Sequence, residues 1–596
     1  MSVARQSGDF WVWARRQAFW IAAALAVLVS SPSLFADFYT DDLGMVLAID
    51  GTAPPMIPGP FHLYTFMTGA PGERDALVRD SQVPWWTVDG IRLSFCRPLS
   101  SALLTLDHAI AGRNPLPYHL HSLAWYVAAV LAAGALFRRL LPEAEAATAA
   151  VLFAIAPAHW MLSSWPSARH VAISGALAIA ALILHWEWRN RPQAGRGRLV
   201  SALLCAALSL AGGETGLGVF GYVAAYELVG RREALAQRLR ALAPWAALFF
   251  GYALVYRALG FGVRGAGAYI DPLGQPLAYL SALPTRLAVY ASAALLGIPS
   301  ELSTLLPSSV PIVAALGVLS LLLFAWVLSR GLRSLHSESA RTLSWLMVGS
   351  LLALLPGLAS IPGDRVLFLS NLAVVAALTT VLQHAWQRAE RGVKVWAARL
   401  SVLLFGFVHV LLAPLSFAFG AWTLATTSHA ALAAAAQAEI PVRPGLTVVG
   451  IGLSDPLVGM YLWPSLYVAP RPEPRPSAVY LLSMSAHRHR VRRLDERTLE
   501  VTLLDGTLLD DALEYLFRAH SAPLRAGDRA ALGAFSVQVL DENAGRPTRF
   551  SVQFDRPLED ETLAFVIWKR GALRAFIPPK LGETVLVEHE LGPMGI

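Results

Sequence analysis

The chain has 596 residues, 55% of them hydrophobic and 15% charged, with a mean hydropathy of +0.50. Those values exclude a single soluble domain and point to a protein that crosses a membrane many times. The net charge of +7 does not imply a nucleic-acid partner, because the basic residues fall in short clusters between apolar runs, as cytoplasmic loops do.

The first apolar stretch, 19–35, leads into an acidic motif rather than a small-residue cleavage site and is read as a retained anchor. Arg5, Arg15 and Arg16 precede it and place the N-terminus in the cytoplasm. On the far side follow Asp37-Phe38-Tyr39-Thr40-Asp41-Asp42. Three carboxylates in six residues at a membrane surface are costly unless they have a partner or a task, so chemistry is sought here first. The plainer reading is that they mark where the helix leaves the bilayer. Residues 37–118 form a long external segment, a length uncommon in a loop without function. Within it, Trp85-Trp86 suit an interfacial position. Of the two cysteines, Cys96 falls in this loop and Cys205 in a span, so neither a disulfide nor a zinc site is expected.

Apolar runs at 120–137, 146–162, 171–187, 199–211, 214–229, 241–259, 309–329, 342–359, 365–386 and 400–424 bring the predicted crossings to eleven. Arg138-Arg139, then Arg189, Arg191, Arg196 and Arg198, then Arg231, Arg232, Arg238 and Arg240 fall after every second run and set the alternation. Arg388, Arg391, Lys394 and Arg399 return to the cytoplasm. The runs from 199 and 214 are shorter than the roughly 20 residues a perpendicular crossing needs. Residues 277–298, interrupted by Pro284 and Arg286, are expected to form an interfacial or re-entrant helix. An odd number of crossings puts the C-terminus outside.

The transmembrane domain is taken as 1–436. A linker region follows at 437–476, in which Arg471-Pro-Glu-Pro-Arg-Pro476 reads as stiff and extended, and then a β-rich domain at 477–596. Alternation predicts strands at 498–504, 535–540, 549–554 and 562–568, a hairpin turn at 541–546 and a short helix at 508–520. His487-Arg488-His489-Arg490 is read as a solvated basic stretch rather than a metal or phosphate site. The expected fold class is a polytopic α-helical membrane protein with about eleven transmembrane helices and a C-terminal soluble β-rich domain.

Five motifs occur in order between residues 20 and 386. They are Phe95-Cys96-Arg97-Pro98-Leu99 with Leu106-Asp107 and Pro117-Tyr118-His119-Leu120; Leu152-Phe153-Ala154-Ile155-Ala156-Pro157-Ala158-His159; Trp165 with Ser167-Ala168-Arg169; Leu208 to Glu214-Thr215; and Asp364-Arg365-Val366-Leu367-Phe368-Leu369. Together they resemble the integral-membrane GT-C glycosyltransferases, nearest to the protein O-mannosyltransferase-like branch that includes the transmembrane-and-TPR O-mannosyltransferases. Ala156, Gly213, Ser122 and Val171 depart from that pattern, the TPR repeats are missing, and the β-rich tail lies outside the resemblance.

The resemblance implies transfer of a sugar from a polyprenyl-phosphate carrier to an acceptor hydroxyl on the external face, with inversion. Asp41 would be the general base, with Asp42 orienting the acceptor or sharing the proton, and the two roles are interchangeable at this stage. Arg365 would clamp the departing phosphate, or else pair with Asp364. Arg97 and Arg169 are further phosphate candidates, and Arg97 could instead orient the long loop. His119 and His159 would hydrogen-bond sugar or phosphate, or act as structural donors. Glu214 could bind an acceptor, a metal or a neighbouring Arg, and the Arg pairing is preferred. No cofactor is expected, and adjacent rather than spaced acids argue against a divalent metal. The implied partners are a polyprenyl-phosphate-linked sugar donor, a protein, glycan or lipid acceptor, and membrane lipids, with no nucleic acid. The implied location is a bacterial inner membrane with the C-terminal domain in the periplasm. Two other classes stay open: a transporter or flippase of lipid-linked intermediates, and a non-catalytic scaffold.

Overall fold

Lipid offers a backbone no hydrogen-bond partners, so a crossing segment must satisfy its own N–H and C=O groups, and helices do this. In this computed structural model, which describes residues 17–52, 59–191, 193, 195–333, 335–390 and 396–595, all eleven apolar runs are helical. Seven of the described helices are long and apolar enough to cross a membrane: Gln17–Phe35, Pro115–Leu140, Pro166–Asn190, Leu235–Ala258, Pro307–Leu332, Ser337–Ala359 and Arg399–Ala436. Glu143–Ala154 and Pro157–Ser164, bent by 52°, make an eighth if taken as one broken span. The chain is therefore a multi-pass membrane protein. The other three runs are shorter: Arg196–Gly212 has 17 residues, Gly218–Ala225 passes into a π-turn at Tyr226–Gly230, and the apolar part of the tenth is Asn371–Gln383. Residues Pro276–Leu296 form one 21-residue helix despite Pro284. It lies so close to Val310–Leu332 that a Cβ at Gly317 would collide with the Ala288 carbonyl oxygen.

The chain divides into two compact units, each built from separated stretches. The first holds residues up to Ala36, Cys96–Leu259 and Pro272–Ala425; the second holds Asp37–Phe95, Gly260–Asp271 and Thr426 onward. In the first unit the arginine clusters meet acids at one end of the helices. Arg139 and Arg198 both hold Glu187, the former at 2.7 Å, while Arg189 (2.7 Å) and His185 (2.9 Å) hold the buried Glu227. The helix His170–Asn190 joins this end to the other, a separation of about 30 Å at 1.5 Å per residue. Arg5, Arg15, Arg16, Arg391 and Lys394 lie outside the described residues, as does the side chain of Arg388.

The second unit is β-rich. A three-stranded antiparallel sheet joins β1 (Thr65–Met67), β2 (Arg92–Ser94) and β3 (Gly262–Arg264). The tail supplies β4 (Thr447–Gly450), β5 (Ala478–Leu481), β6 (His489–Arg493), β7 (Thr498–Leu503), β8 (Arg529–Leu532), β9 (Phe535–Asn543), β10 (Arg546–Phe554), β11 (Leu563–Lys569), β12 (Ala572–Phe576) and β13 (Thr584–Val587). They form a four-stranded sheet in the order β12-β11-β4-β5 and a six-stranded sheet in the order β13-β6-β7-β10-β9-β8.

Several expectations change here. The stretch read as a linker contains β4, an inner strand paired in parallel with β5 and β11. Arg471 is no spacer residue: its guanidinium donates to the carbonyls of Ala435, Ala436 and Ala438 at 2.7–3.1 Å, capping the end of the helix Ala413–Ala436. The predicted helix at 508–520 is a single 3-10 turn, Glu514–Phe517. His489 lies on the buried face of β6 and reaches Ser483 Oγ at 2.8 Å. Trp85 and Trp86, expected at the membrane interface, are 2% and 0% exposed and pack edge-on in the core of this unit. Their indole N–H groups donate to the carbonyls of Leu482 and Glu514. Two large apolar rings whose only polar atoms are satisfied are better spent in a core than at a surface.

Candidate functional site

In the second unit the acidic motif starts the helix Asp41–Asp50. Thr40, just before it, has φ +46° and ψ −114°, a strained conformation that persists only where packing holds it. The three acids divide their duties. Asp37 pairs with His429 at 2.6 Å, and its N–H donates to Ser428 Oγ. Asp42 is 3% exposed, and its Oδ2 accepts the Tyr39 N–H at 3.1 Å, closing the first turn. Asp41 turns to a different partner: its Oδ1 accepts the Tyr461 hydroxyl at 2.5 Å. Burial, then the charge and hydrogen bond of Asp41, hold the Tyr461 phenol well above its usual range, so it stays a donor. Tyr39 shifts the same way through burial and the charges of Asp455, Asp42 and Asp41. Asp455, itself buried, accepts the N–H groups of Leu457 (2.9 Å) and Met594 (2.5 Å), and burial pushes it up to about 6. Tyr461 and Asp455 lie some 400 residues downstream of the motif, and no sequence spacing could have linked them to it.

In the first unit Arg365 stands in the 3-10 turn Asp364–Leu367. The alternative pairing with Asp364 does not form, because the buried Asp364 accepts both the N–H (2.8 Å) and the hydroxyl (2.7 Å) of Ser300. The Asp364 N–H in turn donates to Glu301 Oε1 at 2.8 Å. The half-buried Arg365 guanidinium sits 5.5 Å from the Trp165 ring and makes no hydrogen bond or ion pair among the described residues. Burial and the charge of Asp364 push the Glu301 carboxyl upward. A guanidinium has five N–H donors in a planar fork whose geometry matches carboxylate or phosphate oxygens.

Arg97 lies just before the helix Pro98–Ala111. Its Nε donates to Glu214 Oε2 at 2.7 Å, the pairing preferred for that acid, and the Tyr256 hydroxyl approaches Glu214 Oε1 at 3.4 Å. A Cβ at Gly213 would come within 2.9 Å of His170 Nδ1. A side chain at this position, where the resemblance implies one and the sequence departs from it, would have to displace the His170 imidazole.

The remaining residues are spent internally. Arg169 is 1% exposed; it donates to Asp107 Oδ2 at 2.5 Å and to the Tyr118 carbonyl at 3.3 Å. The other Asp107 oxygen takes the His121 Nδ1–H at 2.7 Å. A guanidinium neutralised in this way is not presented to a phosphate. His119 and His159 are fully buried. His159 hydrogen-bonds Asn371 Nδ2 at 3.0 Å and packs edge-on against Phe153 and Phe368. His159 thus follows the structural alternative of an internally hydrogen-bonded imidazole. Among the described residues no three His, Cys, Asp or Glu side chains converge to hold a metal ion.

No protein-family model matches the chain, and no curated protein is significantly similar to it. Similar solved structures include the oligosaccharyltransferase of Archaeoglobus fulgidus in its apo form, at 13% identity and TM-score 0.42 over 78% of this chain and 64% of that one. Another is the same archaeal protein, AglB, with an inhibitory peptide and a dolichol-phosphate, at 13% identity and TM-score 0.41 over 79% and 65%. A third is ArnT from Cupriavidus metallidurans bound to undecaprenyl phosphate, at 14% identity and TM-score 0.36 over 78% and 89%. The chain thus spans just under two thirds of the length of the archaeal structures. TM-scores below 0.5 do not establish a common fold, and the functional reading rests on the residues above.

Proposed function

We propose that the protein is a GT-C type glycosyltransferase of the O-mannosyltransferase-like kind, moving a sugar from a polyprenyl-phosphate carrier to an acceptor hydroxyl of a protein, glycan or lipid. We place the reaction at the periplasmic face of a bacterial inner membrane. The observation that carries this reading is Arg365, a half-buried guanidinium stacked on Trp165 with no carboxylate partner among the described residues. A cation in that state is expensive unless an anion visits it.

In this reading Asp41 accepts the proton of the acceptor hydroxyl as its oxygen attacks the anomeric carbon. The bond from that carbon to the phosphate oxygen breaks with inversion, and the negative charge that develops on the lipid phosphate is taken up by Arg365. The Tyr461 hydroxyl orients the Asp41 carboxylate. Asp42 keeps the helix start in place and has no chemical step. Arg169 and His159 support the helix packing. No metal is assigned a role.

The test is mass spectrometry of membrane glycoconjugates from cells carrying the wild type, Asp41→Ala or Arg365→Ala. One class of glycosylated product should disappear in Asp41→Ala and be strongly reduced in Arg365→Ala, with the protein present at normal abundance. A glycan profile unchanged in Asp41→Ala rejects the proposal.

A further inference from the structure

Tyr252 and Tyr256 lie one turn apart on the helix Leu235–Ala258, with ring centroids 5.5 Å apart. Their helix is otherwise mostly open to lipid: Phe250 and Leu254 are 68% and 72% exposed. The two tyrosines turn the other way, toward the Arg97–Glu214 pair. Tyr256 reaches Glu214 with its hydroxyl. Tyr252 does not: its hydroxyl is enclosed, yet has no hydrogen-bond partner among the described residues. Its ring packs against that of Tyr256, which puts it next to the residue that meets Glu214. An unsatisfied buried hydroxyl costs its full desolvation, and phenylalanine would fill the same space without that cost. A ligand hydroxyl would supply the partner that the described residues do not.

We propose that Tyr252 binds a ring hydroxyl of the donor's sugar, beside Arg97 and Glu214. This rests on the transferase reading and adds to it the place where the sugar is read. A phenol can both donate to and accept from a sugar hydroxyl, a carboxylate accepts from a second hydroxyl, and the tyrosine ring face suits the C–H face of a hexose. A polyprenyl chain offers none of these groups.

The experiment uses the full-length protein in lipid nanodiscs and three probes: unsubstituted polyprenyl phosphate, polyprenyl-phosphate mannose and polyprenyl-phosphate glucose. Tyr252→Phe should weaken binding of at least one hexose probe about fivefold, the loss of one neutral hydrogen bond, and leave the bare phosphate unaffected. Its melting temperature without probe should equal or exceed that of the wild type. Arg365→Ala should weaken all three. Equal affinity of Tyr252→Phe and wild type for both hexose probes overturns the proposal, as does an equal loss for the bare lipid, or a wild type that binds neither hexose probe more tightly than the bare phosphate. If Arg365→Ala changes nothing, the transferase reading itself falls, whatever Tyr252 does.

Discussion

Replacing Arg169 with methionine should make the protein melt earlier without weakening its hold on a lipid phosphate. The Arg169 side chain is 1% exposed and that of its partner Asp107 7%. Removing one member of a buried ion pair leaves the other charge uncompensated, at a cost of about 3–5 kcal/mol. Asp107 would still keep His121 at 2.7 Å, which offsets part of the loss, so about 3 kcal/mol is expected. At roughly 2 °C per kcal/mol, the figure for large domains, the melting temperature in detergent should fall by about 6 °C. Asp107→Asn should cost a similar amount. The double variant should be less damaged than the sum of the two, because both charges then leave together. Polyprenyl-phosphate affinity, measured on the same preparations, should not change in Arg169→Met. A variant that melts with the wild type but loses the lipid would refute the reasoning, since the guanidinium would then serve a ligand and not Asp107.

Asp41→Asn should abolish transfer with the fold intact, whereas Asp42→Ala should cost about 1 kcal/mol through loss of a cap-like hydrogen bond and retain measurable product by mass spectrometry. Burial raises Asp455 from 3.8 to about 6 in the folded protein. The unfolded chain therefore binds fewer protons between those values, and stability should fall as pH rises from about 4 to 6 and stay flat above, by about 3 kcal/mol for the roughly two-unit shift. Asp455→Asn should flatten that slope in a proteolysis assay of the second unit; an unchanged slope would count against a buried carboxylate there. Burial and the charge of Glu214 push the Cys96 thiol up to about 11, leaving about one thiolate per thousand at pH 8, against roughly one in four for an ordinary thiol. Maleimide labelling of Cys96 should accordingly be slow, and faster in Glu214→Gln.

A good part of this was legible in the chain. Membrane spans announce themselves because lipid demands roughly 20 consecutive apolar residues that satisfy their own backbone, and all eleven runs became helices. The strands at 498–503 and 563–569 followed from alternation, and Glu214 found an arginine because an unpaired acid there is too costly. Less visible was the internal commitment of Arg169 and His159. A motif names residue types but not what their polar atoms meet, and Asp107, placed in the same motif group, took the guanidinium.

Local pattern alone determined that this protein is polytopic, where its helices run, and that an acidic turn follows the first of them, because each of these depends on residues close together in sequence. Only the tertiary structure decided that residues 37–95 and 260–271 fold with the tail, that Trp85 and Trp86 are core, and that Asp41 rather than Asp42 meets Tyr461. Those choices turn on burial and on hydrogen bonds spanning some 400 residues, as from Trp85 to Leu482. Which distant group closes such a bond is settled by the packing of the whole unit, and short-range periodicity carries no record of it.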